Sequence, residues 1–328
     1  VSAPADGAGA DLAPGVAATG LIAAATPLLV LYSGGRDSTC LLDCAVRIAG
    51  PASVSALHVN YGLRATAIDD EAHCRTTCER LGVALEVVAA PAARETGNLQ
   101  AWARALRYDA ATTSAHRAGA AIAAGHTASD QVETILYRLA SSPSRRALLG
   151  MRPREDADPA RPPLVRPLLG FTREQTTAHC RTRGLAWRED ETNATGHYAR
   201  GRVRHGLLPA LEAVHPAAAA NVLALSARLS DEAAVLDTLV DGVLGGAHEI
   251  PVATLRAQPL ALQRLIVQRL ADHAAGGPAA GVARRAGEVA ALPGHGTASL
   301  DLPGGVRATA RRGTVAFSVT PPLGGADH

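Results

Sequence analysis

The sequence predicts an α/β protein: an N-terminal doubly wound parallel sheet, then a helical linker, then a small α+β module. Three observations carry that expectation. Short apolar runs alternate with segments of helical periodicity from residue 27 to 124, and a glycine-rich turn stands where the first apolar run ends. Beyond about residue 210 the alternation gives way to a long alanine- and leucine-rich stretch followed by short hairpin-like runs. With 328 residues, 47% of them hydrophobic, and a formal charge of +2, the chain has material for about two domains with buried cores.

Residues 1–24 are Ala/Gly-rich and carry no basic residue ahead of an apolar segment, so they do not read as a signal peptide and are expected to form a flexible leader. PLLVLY at 27–32 reads as a strand, Ser33-Gly34-Gly35 as a tight loop, and 38–48 as a helix with Leu41, Leu42, Ala45, Val46 and Ile48 on its apolar side. The pattern repeats with strands at 54–59, 83–88 and 120–124 and helices at 65–81 and 99–117. Such alternation predicts a parallel sheet covered on both faces, with ligands outside the carboxyl ends of its strands. The Pro/Arg/Asp-rich stretch 151–163 is expected as an exposed loop and 164–167 as one more strand. Thr172 to Gln175 has capping-box spacing, which starts a helix running to about Arg183. A helix over 217–244 links to the C-terminal part, where 262–270 is amphipathic and 299–302 and 306–308 flank Pro303-Gly304-Gly305 as a hairpin would. The expected domains are therefore 25–210, a linker at 211–245, a module at 246–320 and a tail at 321–328.

Every one of the 32 basic residues is arginine. Without lysine there is no Walker-A phosphate lysine, no Schiff base and no lysyl adenylate, so a nucleotide site must use glycine backbone, arginine and metal. Arginine's fork geometry suits an RNA partner. Between Ser141 and Ala210 there are 13 Arg against 7 Asp+Glu, which marks either an RNA-facing surface or an arginine-laced solvated face. Five cysteines, an odd set, fit reduced thiols and a cytoplasmic location. The pairs Cys40/Cys44 and Cys74/Cys78 have helical spacing and are expected as core thiols, not metal ligands. No apolar run approaches the roughly 20 residues of a membrane span.

SGGRDS, residues Ser33, Gly34, Gly35, Arg36, Asp37 and Ser38, lies at the strand-to-helix junction. Glycines let the backbone present N–H groups to a ligand while the helix directs its positive end to the same point, the arrangement that holds a polyphosphate. Ser33 and Ser38 add hydroxyls, and Asp37 is a natural Mg²⁺ ligand. In GHTASDQVET, a helix starting near Thr127 puts Asp130 and Glu133 on one face, an anionic pocket suited to an amino acid with two amino groups. His126 falls just past a strand end. Arg104 and Arg107, three apart on a helix, can face one charged ligand or pair with surface carboxylates.

These motifs occur in a series. SGGRDS is followed by HVNYGLR (58–64), NLQAWARALRY (98–108), GHTASDQVET (125–134), LLGM (148–151), VRPLL (165–169), WRED (187–190) and RGRVRHGLLP (200–209). In that order they resemble the tRNA(Ile)-lysidine synthetases of the PP-loop ATPase superfamily, over about residues 28–209. The resemblance implies an adenine nucleotide alpha hydrolase-like fold, ATP and Mg²⁺, free L-lysine and tRNA(Ile) with a CAU anticodon as partners, and a cytoplasmic enzyme for which a homodimer is open. It implies a phosphate site at 33–38 with His58, with Asp37 as metal ligand. It also implies a catalytic set of Asp37, Arg104, Arg107, His126, Asp130 and Glu133, with the two acids on lysine, and RNA contacts from Arg64, Arg200, Arg202 and Arg204. The 246–320 module is expected to grip the tRNA. Thr127 and Ser129 stand where the family shows a second histidine and an aspartate, Tyr61 where it shows histidine, and Gly201 where it shows asparagine. Two rival readings remain: tRNA thiolation, against which stands the absence of any C-x-x-C, and a nucleotide- or RNA-binding protein that has lost catalysis.

Overall fold

The computed structural model describes residues 11–63, 66–91, 98–142, 144–158, 160–189 and 199–320, with residue 200 described by its backbone alone. The chain divides into two units, one ending at Ala227 and one beginning at Arg228.

In the first unit, helix α1 (Ala13–Ala18) precedes β1 (Leu28–Leu31), α2 (Arg36–Ala49), β2 (Val54–Asn60), α3 (Ala67–Leu81), β3 (Ala84–Ala89), α4 (Leu99–Ala118) and β4 (Ala121–Ala123). Then come α5 (Ala128–Ser141), α6 (Arg145–Leu148), β5 (Arg154–Glu155), β6 (Leu164–Val165), α7 (Arg173–Thr182), α8 (Ala199–Arg202), a π-helical turn at Val203–Leu207, α9 (Leu208–Val214) and α10 (Ala218–Leu244). The sheet order is β3-β2-β1-β4-β6-β5, parallel except for β5. The order reverses between β1 and β4, so the crevice at their carboxyl ends is where a ligand fits.

Strand alternation sorts the core into two faces. Leu28, Val30 and Tyr32 pack with Leu41, Cys44 and Ala45 of α2 and Cys74 and Cys78 of α3, whereas Leu29 and Leu31 pack with Leu57 and with Ala111 and Ala115 of α4. Both faces of β1 are buried, which is why its sequence is an unbroken apolar run. Cys40, Cys44, Cys74 and Cys78 are core thiols, as expected. Burial pushes the Cys74 thiol up to about 12, away from thiolate reactivity.

Two expectations need correction. The supposed flexible leader, residues 1–24, carries α1 within its described part, 11–24, and Leu12, Ala13, Val16 and Ile22 are buried in the α2 face of the core. The Leu12 amide donates to His179 Nδ1 (3.0 Å), and Arg47 donates to both Asp11 oxygens at 2.5 and 2.7 Å. One helical turn is stable only with tertiary partners, and those partners come from α2 and α7, far along the chain. The expected loop at 151–163 contains β5, which pairs with β6, and a bridge between Asp158 and Arg161. The α7 capping box forms as read: the Thr172 hydroxyl accepts from the Gln175 amide, and the Gln175 side chain accepts from the Thr172 amide.

The second unit contains the rest of α10, then β7 (Glu249–Pro251), α11 (Val252–Ala257), α12 (Leu260–Ala275), α13 (Ala286–Ala290), β8 (Thr297–Leu302), β9 (Val306–Arg311) and β10 (Thr314–Val319). Its antiparallel sheet has the order β7-β10-β9-β8, and the expected hairpin is β8/β9, with Leu302 opposite Val306. Ile250, Leu255, Ile266, Leu270, Val306 and Val315 fill its core. The 211–245 segment expected as a linker feeds both units: Val222 and Leu223 pack with Val132 and Leu136 in the first, and Val240 lies in the core of the second. No single described helix is long and apolar enough to cross a membrane.

Candidate active site

A cavity of about 930 Å³ opens at the carboxyl ends of β1, β2 and β4. The SGGRDS turn forms its floor. Gly34 takes φ +77°, a left-handed conformation, and a Cβ there would stand 3.0 Å from Cys74 Sγ, so the turn requires glycine on two counts. Ser38 Oγ donates to the Gly35 carbonyl (2.8 Å) and accepts from the Ser33 amide (3.3 Å), while Ser33 Oγ accepts from the Gly35 amide (3.3 Å). Both serines thus brace the loop. Helix geometry leaves the first-turn amides of α2 without an intrahelical acceptor, no side chain caps them at Gly35, and Gly35 to Ser38 line the cavity at the helix's positive end.

Asp37 lines this floor. Its Oδ1 accepts from Thr176 Oγ1 (2.5 Å) and from Arg36 Nε (3.0 Å), which fixes the carboxylate at the mouth of the turn. Oxygen donors of this kind, one carboxylate beside hydroxyls and room for phosphate, fit Mg²⁺. His58, at the end of β2, is buried and lines the cavity, with Nδ1 3.0 Å from the Tyr32 carbonyl, so it also props the strand leading into the turn. Gly125 is a residue the sequence reading passed over. A Cβ there would meet the backbone of Asp37 and Ser38 at 3.2 Å, so glycine lets the end of β4 lie directly against the turn. His126 follows it on the cavity wall.

The acidic helix face differs from expectation. Asp130 Oδ2 closes a capping box with Thr127, accepting from its amide and hydroxyl at 2.9 Å each, and only Oδ1 looks toward the cavity arginines. Thr127, a departure from the family pattern, is therefore the helix cap. Glu133 is 4% exposed and does not line the cavity. Arg204 covers it, donating from Nε (2.6 Å) and Nη2 (2.9 Å), and Arg173 Nη2 lies 3.9 Å away. The open two-carboxylate pocket expected for a diamine is thus corrected: Asp130 faces the cavity and Glu133 holds an arginine. Burial alone would lower the Arg204 pKa, but the Glu133 carboxylate outweighs it and holds the guanidinium charged.

Arg204, expected on the RNA, therefore lies in the cavity wall with Arg173, whose Nε is buried and makes no hydrogen bond among the described residues. No motif reading found Arg173. Its signal was its place at the start of the capping-box helix, which aims the first turn of α7 at α5. Arg104 and Arg107 do not face one ligand. Arg107 lines the main cavity and donates to Tyr61 Oη (3.1 Å), while Arg104 stacks on Tyr108, 4.7 Å from the ring centroid, and lines a separate cavity. The Tyr61 hydroxyl in turn donates to the Ala103 carbonyl (3.0 Å) and its ring meets Trp102, forming one wall. Trp187, Arg188 and Glu189 of the WRED motif form another, with the Arg188 amide donating to the Gly34 carbonyl (2.9 Å) and its Nε to Asp70 (2.9 Å). Arg202 is exposed outside the cavity. Arg64, Asp190 and the Arg200 side chain lie outside the described residues.

A glycine turn at the carboxyl edge of a doubly wound parallel sheet, with a cavity-facing aspartate and an arginine wall, defines an ATP-pyrophosphate-type nucleotide domain. The chain belongs to the PP-loop domain family, whose model matches residues 17–211. It is similar to tRNA(Ile)-lysidine synthases: 36% identical over 277 residues to that of Xanthomonas campestris pv. campestris (strain 8004), covering 81% of this chain and 63% of the relative. With the Thermus thermophilus synthase (strain ATCC 27634) it shares 36% over 299 residues, 88% of this chain and 56% of the relative. The chain thus spans less than two thirds of the length of these curated relatives. Among solved structures, the U34-tRNA thiolase NcsA from Methanococcus maripaludis superposes with a TM-score of 0.56 at 16% identity, covering 66% of this chain and 76% of that one, a likeness of fold alone.

Proposed function

We propose that this chain is an ATP-dependent tRNA-modifying ligase that joins free L-lysine to C2 of the wobble cytidine in the CAU anticodon of tRNA(Ile). The observation that carries the reading is the uncapped start of α2 and Asp37 facing a cavity of about 930 Å³ walled by Arg107, Arg173 and Arg204. The similarity to tRNA(Ile)-lysidine synthases supports the choice of substrates.

In this reading the turn amides at 33–38 hold the triphosphate, and Asp37 is the residue that would hold Mg²⁺, which supplies neutralisation of phosphate charge when bound. The cytidine C2 oxygen attacks the α-phosphorus and pyrophosphate leaves, its charge met by Arg173 and Arg204. The neutral ε-amine of lysine then attacks C2, and AMP departs with the oxygen. Asp130, the carboxylate that faces the cavity, orients lysine through its α-ammonium, and Glu133 acts one step back by holding Arg204. His126 is assigned the proton lost from the attacking amine. Thiolation is disfavoured, because all five cysteines are buried and none lines the cavity.

The test is AMP release by the chain with ATP, lysine and tRNA(Ile). Release dependent on both lysine and tRNA is expected, with a loss of about 100-fold or more in Asp37→Ala. Equal AMP release without lysine refutes the assignment, and a parent that binds ATP without turnover identifies a non-catalytic binding protein instead.

A further inference from the structure

A second cavity, of about 340 Å³, is lined by Arg104, Arg138, Gly150, Met151, Arg152, Glu155 and Arg166, and Arg104 stands three residues before Arg107 of the main cavity on α4. Arg104, Arg138, Arg152 and Arg166 line it together with one carboxylate, Glu155. The site is built and not a chance surface grouping. Arg166 is only 3% exposed, its Nη1 donates to the Arg152 carbonyl (2.6 Å) and its Nη2 lies 2.7 Å from Glu155 Oε1. Its Nε is buried with no hydrogen-bond partner among the described residues, a charged donor desolvated without an acceptor from them.

The wall is held in place by the Gln131 amide, which accepts from the Met151 amide (2.7 Å) and donates to its carbonyl (3.0 Å). Arg138 Nη1 fixes the Gly150 carbonyl at 2.6 Å. At Gly150, with φ +64°, a Cβ would be strained and would displace the Gln131 amide, 2.6–2.8 Å away, from its two bonds to Met151, so the turn favours glycine. Arg104 stacks its face on Tyr108 and leaves its N–H edge for a ligand. Guanidinium forks presenting paired N–H groups match the oxygens of a phosphodiester, and a buried guanidinium N–H such as Arg166 Nε is costly to leave without an acceptor.

We propose that this cavity is a backbone-phosphate site, taking one or two phosphodiesters of the RNA strand whose reacting base enters the main cavity past Arg107, three residues along α4 from Arg104. The proposal rests on the tRNA reading given above and adds where the strand is gripped. It also explains why Arg104 and Arg107 diverge: one serves the reacting nucleotide and the other a neighbouring phosphate.

The experiment measures tRNA(Ile) binding to the whole chain, without ATP or lysine, across a salt series. The double variant Arg104→Ala/Arg152→Ala leaves the bonds made by the Arg138 and Arg166 side chains intact, and circular dichroism checks its fold. Its tRNA affinity is expected to fall about tenfold at low salt, with the slope of log affinity against log salt shallower by about one to two, while Arg104→Lys/Arg152→Lys keeps the parent slope. ATP affinity is expected to stay at the parent value. A variant with parent affinity and slope overturns this site alone, and a parent that binds no tRNA removes the functional reading together with it. Loss of ATP or inorganic pyrophosphate binding with tRNA binding intact would show a free-anion site and also overturn the proposal.

Discussion

Glu133 and Arg204 are joined by bonds of 2.6 and 2.9 Å, and without Arg204 the almost wholly buried Glu133 carboxylate keeps only Arg173, 3.9 Å away and too far to hydrogen-bond. Arg204→Ala is therefore expected to lose about 3–5 kcal/mol of stability, close to the cost of breaking a buried pair. Glu133→Gln lowers the cost of losing Arg204, so the two changes are strongly non-additive in a double-mutant cycle read by urea unfolding. Additive losses would show that the pair is not coupled. The sequence revealed that both residues are charged and belong to motifs. It did not reveal that they meet, because 71 positions separate them and the meeting depends on how the π-helical turn lies on α5. Gly34 and Asp37 were legible for the opposite reason: their roles are set by the turn they themselves form.

At the scale of elements, α2 and α7 are locked by a buried polar cluster. His179 Nε2 donates to Asp43 Oδ2 (3.1 Å), its Nδ1 accepts from Leu12, and Arg183 approaches Asp43 at 3.4 Å. Cys40, Cys44 and His179 bring three metal-type donors within 4.8 Å, but both imidazole nitrogens are already engaged, which supports the core-thiol reading. Burial pushes the Asp43 carboxyl up, while His179 and Arg183 outweigh it and hold it below the usual aspartate range. A lowered folded value means that the stabilisation is full above the unfolded pKa of about 4 and is lost as pH falls through the folded value. Asp43→Asn should thus be clearly less stable than the parent near neutral pH, with the gap narrowing below about pH 4. Urea midpoints across pH measure it, and a gap that stays constant into acid would contradict the linkage. Periodicity gave α2 and capping-box spacing gave α7 as helices, but the α1 turn was illegible because its order derives from this cluster and not from its own composition.

At the scale of the whole molecule there are two units with separate cores, and the candidate ATP site belongs entirely to the first. Saturating Mg-ATP at about 100 times its dissociation constant should stabilise that unit by about 2.7 kcal/mol. Amide exchange should then slow in β1, β2, α2 and α5 and stay at ligand-free rates in the β7–β10 sheet. Equal protection of both sheets would show that the units unfold together. The sequence by itself determined the parallel sheet, the glycine turn after its first strand and the C-terminal hairpin, since each follows from local periodicity, glycine conformation or contiguous pairing. Only the tertiary structure decided which arginine meets which carboxylate, that Arg104 and Arg107 serve different cavities, and that residues 11–24 join the core. Those outcomes depend on long-range packing, where the energy of a charged or apolar group is set by neighbours that adjacent sequence does not specify.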